Sequence, residues 1–220
     1  EGASVAVADM NLPAAEETVA RIAAEGGTAM AIEADISKPG DVARMVEDAA
    51  TRLGGLDGLV LNVGVGVGAL GLDGATPEDW DKTLAINLRG PMLTCRAALP
   101  KLADGASIVF ISSIAGLVAG SRLPAYDASK AALGGLMRHV ALEGARRGIR
   151  ANIVAPGLVD TPLGRLATRG RPSRGRAPTP FGRQATGWEI AYAALFFISD
   201  ESVYVNAQVM AVDSGMTGIS

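Results

Sequence analysis

The chain has 220 residues, 49% hydrophobic and 20% charged, with 28 glycines, which is enough to bury a core without staples and argues against disorder. A single cysteine, Cys95, excludes an internal disulfide framework and a cysteine-based zinc cluster, and a single histidine, His139, argues against a histidine metal site, so no metal is expected. A net charge of −3 makes no case for nucleic acid or an anionic membrane, and with no apolar run near the ~18 residues of a membrane span the chain reads as soluble and cytoplasmic.

Ala3 to Ala8 is a short run of β-branched and small apolar residues ending at Asp9, and Pro13 to Glu25 carries a helical pattern closed by Gly26 and Gly27. The unit recurs as strand 28–34 with helix 39–53, and as strand 56–62 with a long helix from Pro77 to about Leu102. Strand 106–112, helix 126–147, strand 150–155, helix 188–198 and strand 208–212 complete the pattern. Runs such as Leu59 to Leu61 and Ile108 to Ile111 are continuously apolar, as expected of strands covered on both faces. The alternation predicts an α/β fold: a doubly wound, Rossmann-like parallel sheet with helices on both faces, spanning residues 1–220 as a single domain.

One stretch departs from this. Residues 163–183 hold six arginines (165, 169, 171, 174, 176 and 183), four glycines, three prolines and no acidic residue, contributing +6 to a chain whose total is −3. A segment of that composition is a loop rather than core structure. It reads either as a solvated loop or as a lid whose guanidinium groups meet an anionic substrate or cofactor phosphate.

Tyr126 and Lys130 stand at i and i+4 of a predicted helix, so a phenol and an ammonium share a face. A neighbouring cation lowers a tyrosine pKa from about 10 and makes it an acid or base near neutrality. Alone the pair is weak and reads more readily as a surface contact. Thirteen residues before Tyr126, however, a buried-type strand ends in Ser112 and Ser113, putting hydroxyls at the carboxyl edge of a parallel sheet, where ligands bind.

With these motifs the chain resembles the short-chain dehydrogenase/reductase (SDR) family over essentially its whole length. Ser113, Tyr126 and Lys130 stand at the family's catalytic serine, tyrosine and lysine, and Ser113 is preferred to Ser112 because x-x-Gly116 follows it. Ile86 to Gly90 resembles the segment whose asparagine, here Asn87, completes a catalytic tetrad. Asp57 to Gly64 resembles the strand that ends Asn-Asn-Ala-Gly, with Leu61 and Val63 as departures. Pro156, Gly157, Val159 and Thr161 match the family's cofactor loop. The resemblance also assigns Asp35 and Ile36 to the adenine, Asn62 and Gly64 to the ribose, and Tyr126 and Lys130 to the nicotinamide half; Asp35 reads alternatively as a turn residue. Pro91, four residues after Asn87, has no N–H to return to the Asn87 carbonyl, so the long helix is expected to break register there and free a carbonyl for a water relay, or to be only a kink.

Asp9 ends its strand where an acidic residue accepts from ribose hydroxyls and repels a 2′-phosphate, and Met10 and Asn11 add no positive charge, so NAD(H) is favoured over NADP(H). The resemblance implies a small-molecule alcohol or ketone substrate, no nucleic-acid partner, and a homo-oligomer, a tetramer or dimer, built on the two long helices and the last strand. Family members begin with a further central strand and a glycine-rich phosphate turn, roughly 30 residues, for which no match precedes Ala3. That first strand is therefore expected to be missing between the strands ending at Asp9 and Asn62, which leaves a second reading: a non-catalytic binding or assembly protein without its phosphate loop.

Overall fold

A computed structural model describes residues 2–167 and 179–219, in two units: Glu1–Asp57 with Arg89–Ala103, and Gly58–Leu88 with Asp104–Ser220.

In the first unit β1 (Ser4–Asp9) pairs in parallel with β2 (Thr28–Glu33), in register from Ser4 opposite Thr28 to Asp9 opposite Glu33. The connecting α1 (Leu12–Ala24) starts where the Asn11 side chain accepts from the Ala14 N–H, satisfying one of the free donors of the first turn. Helix α2 (Pro39–Leu53) opens on a proline, carries Asp41 in its first turn and Arg52 in its last, and ends on Gly54 in the left-handed region. It packs against α4 (Gly90–Ala98). Gly90 allows this approach, since a Cβ there would lie 2.6 Å from an Ile36 side-chain carbon.

The second unit holds the sheet β3-β4-β5-β6, whose strands are Leu56–Leu61, Leu102–Ile111, Arg150–Pro156 and Val209–Val212. β4 runs parallel to β5, and β5 to β6. The stretch expected as one helix from Pro77 is interrupted. Helix α3 (Pro77–Leu84) passes into a π turn over Ala85–Arg89 before α4 begins at Gly90, so the register break falls at Asn87, ahead of Pro91. The helical stretch ends at Ala98, and β4 begins at Leu102, earlier than expected. Helix α5 (Pro124–Gly144) packs on β5, and α7 (Gly187–Ile198) closes over β4 and β5 through Val109, Val154, Ile190 and Phe197. Between them lies the short α6 (Pro162–Ala167).

Arg150 is buried, and instead of a carboxylate it meets the end of α7, donating to the Phe197 and Ser199 carbonyls and the Ser202 hydroxyl at 2.7 to 3.0 Å. A cation is favoured where helix carbonyls are left without donors. Asn152, fully buried, uses its side-chain amide as a piece of backbone: it donates to Val205 O and accepts from Gln208 N, fixing the approach to β6.

The expectation that the apolar strands are covered on both faces holds for β5 and for residues 106–110 of β4, which are buried. It fails for β3, where Val60 is 49% exposed. β1 and β3 each have a strand partner on one edge only among the described residues, so neither gains the two-sided surroundings of a central strand. Among the described residues no helix is long and apolar enough to cross a membrane, and no group of three His, Cys, Asp or Glu side chains could hold a metal ion.

Candidate active site

The carboxyl end of β4 delivers Ser112 and Ser113 to α5, and the two hydroxyls divide the work. The buried Ser112 donates to the Lys130 carbonyl at 2.9 Å and ties the strand end to the helix backbone. The Ser113 side chain caps the short turn at Ile114–Gly116 and lies close enough to Tyr126 to favour its phenolate. Contact this close requires Gly116, because a Cβ there would lie 2.7 to 2.9 Å from the backbone of Lys130 and Ala131. The x-x-Gly that singled out Ser113 thus has a steric origin.

Lys130 follows Tyr126 by one turn, with its Nζ 5.7 Å from the Tyr126 ring centroid. The side chain is buried and donates to the Ile111 carbonyl at 2.9 Å. Burial lowers its pKa from 10.5 to about 8. Burial also raises the Tyr126 pKa above its ordinary value; the Ser113 hydroxyl works against this and the Asp127 carboxylate adds to it. The expected lowering of the tyrosine pKa by Lys130 is therefore not found: the ammonium is bonded to Ile111 and desolvation dominates.

Asn87 is fully buried in the π turn. Its amide exchanges two hydrogen bonds with the Val65 backbone, each 2.8 Å, and donates to Ser129 Oγ at 3.0 Å, while Ser129 donates to the Tyr126 carbonyl at 2.7 Å. Asn87 thus clamps the loop after β3 to the helix that carries Tyr126 and Lys130. Gly64 lies in that loop, and a Cβ there would stand 3.1 Å from Lys130 Nζ. Ser129 and Val65 were not singled out in the sequence. Ser129 could have been, since it lies within the Tyr126-to-Lys130 motif, whereas Val65 enters only through its backbone.

The residues expected at a cofactor are distributed as follows. Asn62 is exposed just past β3. Pro156 ends β5, and Gly157 donates to Val212 O at 3.0 Å, where a Cβ would meet Asp213 at 2.8 Å. Val159 bridges Ala185, and the Thr161 hydroxyl accepts from Gly164 N at 3.1 Å. In the first unit Asp35 serves its own turn, accepting from Ser37 N and Oγ and pairing with Lys38 at 3.3 Å; Ile36 packs toward Gly90. Asp9 is exposed, and its carboxylate accepts from Asn11 N at 2.8 Å.

Of the arginine-rich loop, Arg165 forms a two-point pair with Asp160 and Arg183 with Glu189; Arg169, Arg171, Arg174 and Arg176 lie outside the described residues. A cavity of about 90 Å³ beside this pair is lined by Leu158, Phe181, Arg183, Asp213 and Ser214, away from Ser113 and Tyr126.

A family model described as "Enoyl-(Acyl carrier protein) reductase" matches residues 1–217, and curated relatives are similar from end to end. A "2-(S)-hydroxypropyl-CoM dehydrogenase 3" of Xanthobacter autotrophicus is 36% identical over 100% of this chain and 89% of its own length. An "Inactive 2-(S)-hydroxypropyl-CoM dehydrogenase 2" of the same organism is 37% identical over 99% of this chain and 96% of its own. The chain belongs to the short-chain dehydrogenase/reductase family. It is therefore an α/β oxidoreductase by family, of the Rossmann-like fold read from its alternating elements. Among solved structures, a blue fluorescent protein from a metagenomic library in complex with NADPH superposes with a TM-score of 0.90 at 32% identity, over 98% of this chain and 88% of that one. A short-chain dehydrogenase from Burkholderia cenocepacia in complex with NADP gives 0.89 at 32%, over 97% and 87%.

These neighbours overturn the expected preference for NAD(H). That preference rested on Asp9 as a ribose acceptor, but the Asp9 carboxylate is engaged in the β1–α1 turn through Asn11. An acidic residue at this strand end is accounted for by local turn chemistry, so it does not decide between the cofactors.

The residues around Lys130 fit a nicotinamide dinucleotide. An ammonium has three donors, and the one hydrogen bond of the buried Lys130 Nζ among the described residues, to Ile111 O, leaves two for a ribose diol. The glycine at position 64 keeps the space beside that ammonium free of a side chain.

Proposed function

We propose that this SDR interconverts a secondary alcohol and a ketone of small-molecule size, with NADP(H) as cofactor and Tyr126 as the acid and base. The observation that carries the reading is the Ser113 side chain at a strand end, near enough to Tyr126 to favour its phenolate, with the buried Lys130 ammonium one helical turn on from the tyrosine. The cofactor assignment is supported by the neighbours bound to NADPH and NADP. When bound, NADP(H) supplies or accepts the hydride. Ser113 donates to the substrate oxygen and fixes it against Tyr126, and Tyr126 gives its phenolic proton to that oxygen in reduction and takes it back in oxidation. Lys130, whose two further donors would hold the cofactor ribose, keeps a positive charge beside the phenolate as it forms. Asn87 holds the loop at Val65 and, through Ser129, the first turn of α5, so that these groups keep their spacing.

Tyr126→Phe should lower ketone reduction at least ~10²-fold, in the range of acid–base catalysis, while NADPH fluorescence titration shows cofactor binding kept. Near wild-type turnover would overturn the assignment. One relative is named as inactive, and the corresponding outcome here, NADPH binding without turnover of any secondary alcohol or ketone in a broad panel, would favour a binding role. We further propose that copies of the chain associate, an assembly supported by the exposed aromatic side chains of α7.

A further inference from the structure

We propose that Arg122 is a specificity-determining residue whose guanidinium receives an anionic group, a carboxylate or sulfonate, at the far end of an otherwise apolar ketone or alcohol. The proposal rests on the reading of Tyr126 as the acid and base, because Arg122 stands four residues before it on the turn leading into α5. That turn is tied down at several points. Leu123 N donates to Ser121 Oγ at 2.9 Å, Asp127 N to Leu123 O at 3.0 Å, and Gly71 N to Arg122 O at 2.9 Å. The turn also converges on the reacting group. A Cβ placed on Gly66 would lie 3.2 Å from Leu123 and 3.6 Å from the Tyr126 ring, so the loop after β3, the turn and the phenol border one space.

Within this fixed turn Arg122 has φ 66°, a left-handed conformation that glycine, asparagine or aspartate adopts at lower cost. Nothing in the fold uses its charge: among the described residues the guanidinium has no ion pair and no hydrogen bond. By contrast, Arg165 and Arg183 of the arginine-rich loop are paired with Asp160 and Glu189. Exposed apolar side chains stand on the same segments: Leu117 and Val118 precede Arg122, and Leu70 and Leu72 flank the glycine that binds its carbonyl, with the exposed Asp73 two residues beyond that glycine. Apolar side chains beside a cation that the nearby Asp73 does not pair with suit an alkyl chain ending in an anion, held by charge-assisted and geometrically specific hydrogen bonds.

The test compares NADPH-dependent reduction of 4-oxopentanoate with that of 2-hexanone by the full chain. Wild-type protein should favour the anion, with a preference that falls as salt is added. Arg122→Gly, which the left-handed backbone accepts without strain, should lower the ratio of kcat/KM for the anionic over the neutral ketone at least tenfold, and Arg122→Lys should restore part of it. An unchanged ratio overturns the proposal. If neither ketone is turned over, neither is a substrate, and the reading of the reaction is decided separately by the broad panel of alcohols and ketones. Calorimetric binding of hexanoate against 1-hexanol, in the presence of NADP⁺, then decides on Arg122: charge-selective binding lost in Arg122→Gly supports it, and equal or absent binding of hexanoate overturns it.

Discussion

Lys130 carries a charge into a place that only partly receives it. Its ammonium is buried on a single carbonyl, and its pKa falls from 10.5 to about 8. The folded pKa lies below the unfolded one, so between the two the unfolded chain binds more protons, and this group makes stability rise with pH across roughly 8 to 10.5. Below that window the charge is buried at a cost. Lys130→Met should therefore be more stable than wild type at pH 7 by about 1–2 kcal/mol, although its turnover should be lost, and the difference should shrink as pH rises toward 10.5. Denaturant unfolding across pH checks this; a variant less stable at pH 7 would mean that the Ile111 bond outweighs the desolvation. The sequence shows that Tyr126 and Lys130 share a helix face, but not the sign of their pKa values, because desolvation depends on neighbours such as Ile111 and Gly64 that spacing does not reveal. Asp9 and Asp35 show the same limit: both are legible as acidic residues at strand ends, and each is spent on its own turn.

At the scale of elements, the site depends on how closely the turn at Ile114–Gly116 lies on α5. Gly116→Ala would drive a methyl to within 3 Å of the backbone of Lys130 and Ala131, atoms that cannot swing aside as a side-chain tip does. The turn must lift, straining the Ser112 bond to Lys130 O and the Ser113 contact with Tyr126. The expected cost is about 1–3 kcal/mol of stability and at least a tenfold loss in kcat. Gly120→Ala, on the same connection with open space around its Cα, should change little; thermal melts and kcat for the pair separate a packing effect from a general intolerance of alanine. Here the sequence was informative in an unequal way. The break near Asn87 was legible from Pro91, because a missing N–H acts locally, and it takes the form of a π turn. The use made of the break was not legible: the Asn87 amide closes on Val65, 22 residues away, and a contact of that range depends on how β3 and α3 pack.

At the scale of the molecule, the surface of α7 is apolar where a free helix would be polar. Glu189 is its one charged residue, and apolar side chains run from Trp188 and Ile190 to Phe197 and Ile198. Ile190 and Phe197 are buried in the core over β4 and β5, yet Trp188 and Tyr192, one turn apart, are 66% and 65% exposed. Val203 is exposed beyond the helix end, and Tyr204 is 100% exposed. An aromatic stripe of this kind marks a contact surface, and a net charge of −3 on 220 residues opposes the approach of a second copy only weakly. The wild-type chain should therefore sediment or scatter light at a multiple of 22.4 kDa. Placing glutamate at both Trp188 and Tyr192 should move it toward the single-chain mass, with the circular dichroism spectrum and the Ser113–Tyr126 chemistry retained if the stripe serves assembly rather than folding. A wild-type mass of 22.4 kDa at micromolar concentration would remove the case for assembly, and a double variant that keeps the multimeric mass would move the contact to another face.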